Sequence, residues 1–461
     1  MPGTEPAAKK LVAIVVDGLT PGALERAVER GRAPALAFLI EQGVYTRAVS
    51  VFPSLTPVCM SSLTTGSHPD VHRIPHLVWY DRDARRFVEY GSSFGAIVAA
   101  GTRRSIMDTI FGLNERHLGR EAVTLYESLD DAGVVAAAVN VTCYRGRTRH
   151  RVTLPGLGRT TLGPRRFFYY NLFESDETGA PLAVRRRSAG TVDEYAAAVG
   201  RWLVTRDGFD FLLYYLSDYD YASHLTGPDA ADAALDRADA AIAALLEAAG
   251  GWDEFLERYA VVVCSDHGQT TVTRAVRLEE RFAHLRLFRP GTRIGCDVAV
   301  GASNRAGQIY RLPGCRTTAR ELAARLDADP AAEVALFLED GEAVARREGE
   351  ELRFAPGRTS GDATLLDGPD AAGRAWAALH NPRAGDVLVS AAAGYEFSDL
   401  GGRNHSGGGS HGSLSLGDSE VPMLTIGLEA SPRSIVEVAP AILAHFGVEP
   451  PPCARALARA A

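Results

Sequence analysis

The sequence predicts an α/β protein: a mainly parallel β-sheet with helices on both faces, carrying an inserted α+β lobe. Three observations carry this. Continuous apolar runs such as residues 11–16 and 259–264 read as strands buried on both faces. Helical segments alternate with such runs, the strand–loop–helix order that builds parallel sheets. From about residue 271 to 400 that rhythm breaks into short strand-like pieces and charged turns.

In chain order, residues 11–16 form the first strand, ended by Asp17-Gly18. A helix over 21–30 follows, with Thr20 placed to cap it. Residues 46–52 read as a strand, and 56–65 as a helix entered through the turn at Pro53. Helix 122–132 precedes strand 134–141, and helix 191–204 precedes strand 209–216, which runs into acidic residues. Helix 230–249 leads to strand 259–264, which ends at Ser265-Asp266-His267. Between 271 and 399 come strand-like pieces in 298–312, a helix over 318–326, a strand over 334–338, a charged hairpin over 342–354 and a return strand over 386–390. Residues 401–412 are too glycine-dense for regular structure and read as an active-site loop. A core strand over 421–426 and a helix over 435–446 close the chain. The resulting organisation is a core of residues 1–270 and 400–461 interrupted by a lobe of residues 271–399, which suits a length of 461 residues.

Composition narrows the function classes. Hydrophobic residues at 46% and charged residues at 23% are ordinary for a soluble globular chain. A net charge of -8 argues against a nucleic-acid duplex as partner, because phosphate backbones need a basic footprint. No stretch reaches the roughly 18 apolar residues of a membrane span. The N-terminus is polar and the first apolar run is too short for a signal-peptide core, so a cytoplasmic location is expected. The six cysteines are scattered with no CxxC pair and read as reduced thiols; Cys296 and Cys315 are near enough to pair, but nothing argues for it. Nothing in the sequence indicates an oligomeric state.

In sheets of this kind, ligands bind beyond the carboxyl ends of the strands. Acidic residues gather there: Asp17, Asp218 with Asp220, and Asp266. Five segments offer metal ligands: Asp17; Thr56; Asp220 with His224; the adjacent Asp266 and His267; and His411. Mixed carboxylate and imidazole suits zinc or a similar first-row ion. Two such ions serve phosphoryl transfer, one activating a nucleophilic hydroxyl and the other stabilising the leaving oxygen. Singly, each piece is ordinary: a strand-terminal Asp-Gly is usually only a turn, and a histidine among glycines usually only surface. Their joint appearance at strand ends carries the weight.

That order resembles the nucleotide pyrophosphatase/phosphodiesterase family of the alkaline phosphatase superfamily, from Val12 to about His445. The motifs are a strand ending in Asp17-Gly18; Phe52-Pro53-Ser54-Leu55-Thr56, followed by Thr65-Gly66 and Pro69-Asp70-Val71-His72; Asp220-x3-His224 before Gly227-Pro228; Ser265-Asp266-His267-Gly268; and Gly409-Ser410-His411-Gly412. The resemblance implies an alkaline-phosphatase-like core and two zinc ions, with other divalent metals possible. Thr56 would be the nucleophile, forming a covalent phospho-threonine. Asp220, His224 and His411 would hold one ion; Asp17, Thr56, Asp266 and His267 the other. The substrate would be a small phosphate ester or nucleotide-like molecule. One departure stands out: Leu77 falls where the family places an Asn that holds phosphate oxygens, with His76 beside it and Arg73 replacing a Gly. His76 and Leu77 are therefore candidate substrate contacts. The loss of that donor favours diesters or pyrophosphates; the alternative is a phosphomonoesterase or phosphonate C–P hydrolase on the same site. Sulfatase chemistry is disfavoured by the lack of a Cys-x-Pro-x-Arg motif.

Overall fold

A computed structural model describes residues 8–153, 158–170, 172–175, 191–292 and 295–455. Its main sheet comprises β1 (Lys10–Val16), β2 (Val44–Val49), β3 (Ala136–Val139), β4 (Arg166–Tyr169), β5 (Phe173–Ser175), β6 (Phe211–Leu216), β7 (Tyr259–Cys264) and β8 (Glu420–Ile426). The spatial order is β2-β8-β7-β1-β6-β3-β4-β5. The five strands from β7 to β4 are parallel. At the edges, β8 runs antiparallel to β7 and to β2, and β5 antiparallel to β4.

β1 is central, and its apolar run is explained by burial on both sides. Leu11, Ala13 and Val15 pack on one face with Val58, Leu129 and Ile442. Val12, Ile14 and Val16 pack on the other with Leu24, Leu36, Val199 and Ile242. Burying one such Val, Leu or Ile contributes about 1.5–3 kcal/mol. The helices bearing these contacts are Thr56–Thr65, Leu125–Asp131 and Val438–His445 on the first face, and Pro21–Glu29, Pro34–Gln42, Val192–Thr205 and Asp232–Glu247 on the second. The expected α/β architecture with helices on both faces is therefore present.

Several boundaries differ from expectation for local reasons. The helix expected over 122–132 starts at Leu125, because Thr124 and Glu127 form a capping box. The strand expected over 46–52 ends at Val49. After it, Ser50 donates to the Ser419 carbonyl and Leu55 to that of Pro53, so the chain turns out of the sheet before Thr56. The hairpin of Val78–Asp81 with Arg86–Glu89 has no counterpart in the expected elements, nor does the helical stretch between Phe94 and His117.

A second, antiparallel sheet lies between Val298 and Ala391. Its order is Val298–Ser303, Ala306–Arg311, Val387–Ala391, Ala332–Glu339, Glu342–Arg347, Glu350–Ala355, Arg358–Gly361. Period-two alternation sets its faces: Ala335 and Phe337 pack with Leu322 and Leu326 of helix Ala319–Asp327, whereas Val334 and Leu336 pack with Ala375 and Leu379 of helix Ala371–Leu379. Phe52 and Leu414, on the loops leading to Thr56 and past His411, belong to the latter cluster. Two short ladders flank this sheet: Thr270–Thr271 pairs with Gly409–Ser410, and Arg274–Val276 pairs with Tyr395–Phe397, which joins the two ends of the region to each other. The glycine-dense stretch over 401–412, expected to lack regular structure, thus contains a two-residue strand. All six cysteines are free thiols. No helix among the described residues is long and apolar enough to cross a membrane.

Candidate active site

Parallel pairing delivers three ligand-bearing loops to one edge. β1 sets Val16 opposite Leu216 and Val15 opposite Cys264, so Asp17, the segment entering helix Asp218–Thr226, and Asp266-His267 emerge side by side. Asp220 and His224 lie one turn apart on that helix, with His224 Nε2 3.3 Å from Asp220 Oδ2. His411 arrives from the distant glycine-rich loop, held by the Gly409–Ser410 strand. Glycine is required there: a Cβ at Gly408 would collide with the His224 carbonyl, and one at Gly409 would lie 2.7 Å from the Ser223 carbonyl.

All three histidines are oriented in the same way. His224 Nδ1 donates to the Gly409 carbonyl at 2.8 Å, His267 Nδ1 to that of Gly268 at 3.0 Å, and His411 Nδ1 to that of Ser54 at 2.7 Å. Each Nε2 is thereby left as a lone-pair donor, the usual arrangement of a metal-ligating imidazole. The rings of His267 and His411 stack at 3.7 Å. Asp220, His224 and His411 form one group whose ligand atoms lie within 4.8 Å of one another; Asp17, Asp220 and His267 form a second.

Thr56 opens helix Thr56–Thr65, and its Oγ1 is 3.1 Å from His267 Nε2. The same nitrogen lies 3.3 Å from Asp17 Oδ1 and 3.6 Å from Asp266 Oδ2. Both of those carboxylate oxygens are buried without a hydrogen-bond partner. Unpaired buried anionic oxygens are costly, so this cluster of lone pairs fits a cation. The other Asp17 oxygen accepts from the Tyr215 hydroxyl, and Asp266 Oδ1 from the Gly18 N–H at 3.4 Å.

The electrostatics agree with that fit. Burial, together with the Asp266 and Asp220 charges, pushes the Asp17 carboxyl well above the ordinary carboxylate range. Burial likewise raises Asp266. Burial also works to raise Asp220, but the facing His224, His411 and His267 outweigh it and hold its carboxyl low. His411 is driven well below the ordinary histidine range, first by burial and then by His267, which keeps it neutral and able to ligate.

The seven residues predicted as ligands and nucleophile are thus brought together, whereas the two predicted substrate contacts are not. His76 is fully buried; its Nε2 donates to the Ala306 carbonyl at 3.2 Å and its Nδ1 accepts from the Val78 N–H at 3.0 Å. Leu77 packs against the apolar core. Arg73 pairs with Glu121 at 3.6 Å. Three polar residues at the site escaped the sequence reading. Tyr215 is signalled only by its penultimate place in an apolar strand. Gln269, whose Nε2 donates to Asp220 Oδ1, directly follows the Ser-Asp-His-Gly motif. Asn304, whose Nδ2 lies 3.0 Å from His411 Nε2, comes from a hairpin of the second sheet and has no sequence signal.

Comparison with known proteins agrees with this geometry. The chain resembles the solved structure of phosphonoacetate hydrolase from Sinorhizobium meliloti 1021 in complex with phosphonoformate, at 20% identity and TM-score 0.60, covering 96% of each chain. It also resembles murine ectonucleotide pyrophosphatase/phosphodiesterase 5, at 15% identity and TM-score 0.61, again over 96% of each chain; an inactive variant of that protein with AMP bound matches equally well. At these identities the likeness establishes the alkaline-phosphatase-like fold. No curated protein sequence matches the chain. The model of the type I phosphodiesterase/nucleotide pyrophosphatase family matches residues 11–414. The chain belongs to that family, whose members are metal-dependent hydrolases of phosphate-ester and pyrophosphate bonds.

Proposed function

We propose that the protein is a two-zinc phosphodiesterase or nucleotide pyrophosphatase acting through a covalent phospho-Thr56. The carrying observation is the convergence of Thr56 Oγ1, Asp17 Oδ1 and Asp266 Oδ2 on His267 Nε2, with both carboxylate oxygens otherwise unpartnered. Asp17, Thr56, Asp266 and His267 hold one ion; Asp220, His224 and His411 hold the other. Asp220 also lies within ligand range of Asp17 and His267, so its carboxylate borders both sites. The ions supply Lewis acidity that makes a threonine hydroxyl a usable nucleophile near neutral pH.

Thr56 Oγ1 forms a bond to phosphorus as the bond from phosphorus to the leaving oxygen breaks, and the proton lost by the hydroxyl balances the one taken up by the leaving oxygen. Water then attacks phosphorus as the Thr56 Oγ–P bond breaks; one of its protons goes to Thr56 Oγ1, its oxygen stays on phosphorus, and the phosphate product leaves. The start of helix Thr56–Thr65 adds positive partial charge beneath the phosphoryl group. The region over 271–399 serves as a cap lobe: Thr270–Thr271, just after His267, pairs with Gly409–Ser410, just before His411, and the region's two ends pair with each other through Arg274–Val276 and Tyr395–Phe397.

Substrate charge supports diesters. Among the described residues, none of the side-chain hydrogen bonds or ion pairs of the seven site residues is to a lysine or arginine side chain. A monoester dianion brings one more negative charge than a diester and gains no cationic side chain to meet it. The second reading, a phosphomonoesterase or phosphonate C–P hydrolase, draws on the similar fold of a phosphonoacetate hydrolase. The deciding experiment compares kcat/KM of the zinc-loaded protein for a p-nitrophenyl diester, p-nitrophenyl phosphate and phosphonoacetate. The diester should be fastest; a clear advantage for either of the others overturns the assignment.

A further inference from the structure

The hairpin joining Val298–Ser303 to Ala306–Arg311 places its turn residue Asn304 at the metal-ligand cluster. Asn304 is 5% exposed, and its Nδ2 lies 3.0 Å from His411 Nε2. The carboxamide is fixed from the other side, where the Ser303 hydroxyl donates to Oδ1 at 3.0 Å. Four further hydrogen bonds hold the hairpin. The Phe397 N–H donates to the Asn304 carbonyl at 2.7 Å, and the Arg305 N–H to the His411 carbonyl at 2.8 Å. His76 and Gln308 clasp the hairpin from below: His76 Nε2 bonds the Ala306 carbonyl, and Gln308 Nε2 donates to the Pro75 carbonyl at 2.8 Å.

His411 spends its Nδ1 proton on Ser54, so Nε2 can only accept, and here it accepts from the Asn304 amide. In the metal-bound protein that lone pair is committed to the ion. The amide N–H is then left facing the site without an acceptor, and a buried donor left unpaired is destabilising. The group that restores its partner is an oxygen of the phosphoryl group being transferred. The geometry points to Asn304 as the amide donor to the non-bridging phosphoryl oxygens, supplied by the second sheet because the segment at Leu77 turns an apolar side chain into the core. This rests on the two-metal reading above and names the residue that completes its phosphate site.

A purely conformational role offers a competing explanation, since Asn304 has φ +57° and asparagine tolerates that region well. The test therefore uses Asn304→Gly, which suits the same backbone and lacks the amide, and Asn304→Asp, which keeps the shape and replaces the donor with an acceptor. The readouts are zinc content per chain and the affinity of the zinc-loaded proteins for inorganic phosphate by calorimetry. Both variants should keep their zinc, and phosphate affinity should fall roughly ten- to hundredfold in Asn304→Gly and further in Asn304→Asp. Phosphate affinity within about twofold of the parent in Asn304→Gly overturns the assignment, and so does loss of zinc from that variant, which would make Asn304 a support of His411 alone. Failure of the unsubstituted protein to hold zinc would instead bring down the two-metal reading itself.

Discussion

Arg305 offers the sharpest test of how the second sheet is coupled to the metal-ligand loops. Its side chain is 1% exposed. The guanidinium pairs with Asp418 at 2.7 Å and reaches the carbonyls of Ala391, Ala392 and Tyr395 at 3.1–3.2 Å, with further bonds to Ser415 and Thr270. Asp418, itself fully buried, accepts from the Ser413 N–H at 2.9 Å, and its own carbonyl accepts the Gly268 N–H. One ion pair thus joins the hairpin bearing Asn304 to the loops that follow His267 and His411.

Replacing Arg305 by Met keeps an apolar stem and removes every donor. Breaking a buried pair from one side costs about 3–5 kcal/mol, because the orphaned carboxylate stays buried. The three abandoned carbonyls add to this, while the remaining donors to Asp418 subtract. A net loss of about 3–5 kcal/mol is expected, a large part of a typical total of roughly 5–15 kcal/mol. Urea unfolding followed by tyrosine and tryptophan fluorescence measures it. Arg305→Met combined with Asp418→Asn removes the orphaned charge and should recover a good part of the loss. A single variant within about 1 kcal/mol of the parent would refute the clamp, as would a double variant no better than the single one.

Other expectations follow from the same geometry. Thr56→Ala should keep its zinc and fold while diester turnover falls about 10³-fold or more, with Thr56→Ser retaining partial activity; near-parental turnover in Thr56→Ala would mean the nucleophile lies elsewhere. His411→Ala and Asp266→Ala should each reduce bound zinc from about two ions per chain to about one and abolish activity with it, as read by elemental analysis. Asp193, buried against Asp218 beneath the start of helix Asp218–Thr226, has its carboxyl pushed up to about 7, mainly by burial. The folded protein then holds a proton that the unfolded chain releases near pH 4, so Asp193 makes stability fall between about pH 4 and 7 and level off above. Asp193→Asn should flatten that slope, gaining on the order of a few kcal/mol at pH 8 relative to pH 4 against the parent; an unchanged slope in urea titrations would exclude it.

How much of this was legible in the sequence depends on how each group reaches the site. Asp17, Asp220, His224, Asp266 and His267 stand within eight residues of the ends of buried parallel strands, and a long apolar run is a strong signal for such a strand. Once β1, β6 and β7 are adjacent and parallel, those residues have to meet. Thr56 was legible through its motif, although the strand before it was placed too long because Val51 and Phe52 are apolar for a different reason: Phe52 packs against the second sheet. Strand β8 reads as a core strand from its apolar run, and it is paired on both sides, yet its antiparallel direction depends on a long connection that local pattern does not record.

Tyr215 and Asn304 lie beyond such reasoning. Tyr215 looks like one more apolar strand residue until parallel register puts it beside Asp17. Asn304 lies 107 positions before His411, within a stretch that the sequence resolves only into strand-like pieces, without any hint of what its turn faces. The same physical circumstance explains why Leu77 misled. Substrate contacts need only a donor of suitable geometry, and any element that folds over the site can carry it, whereas ligands bound to two ions must hold fixed distances to one another and stay tied to the rigid strand ends. On the proposed assignment, the ligand set follows the main sheet and the phosphate donor follows the second sheet, whose hairpin is anchored through Arg305 to Asp418. Variation in the second sheet is then the route by which substrate preference can change while the metal cluster stays as it is.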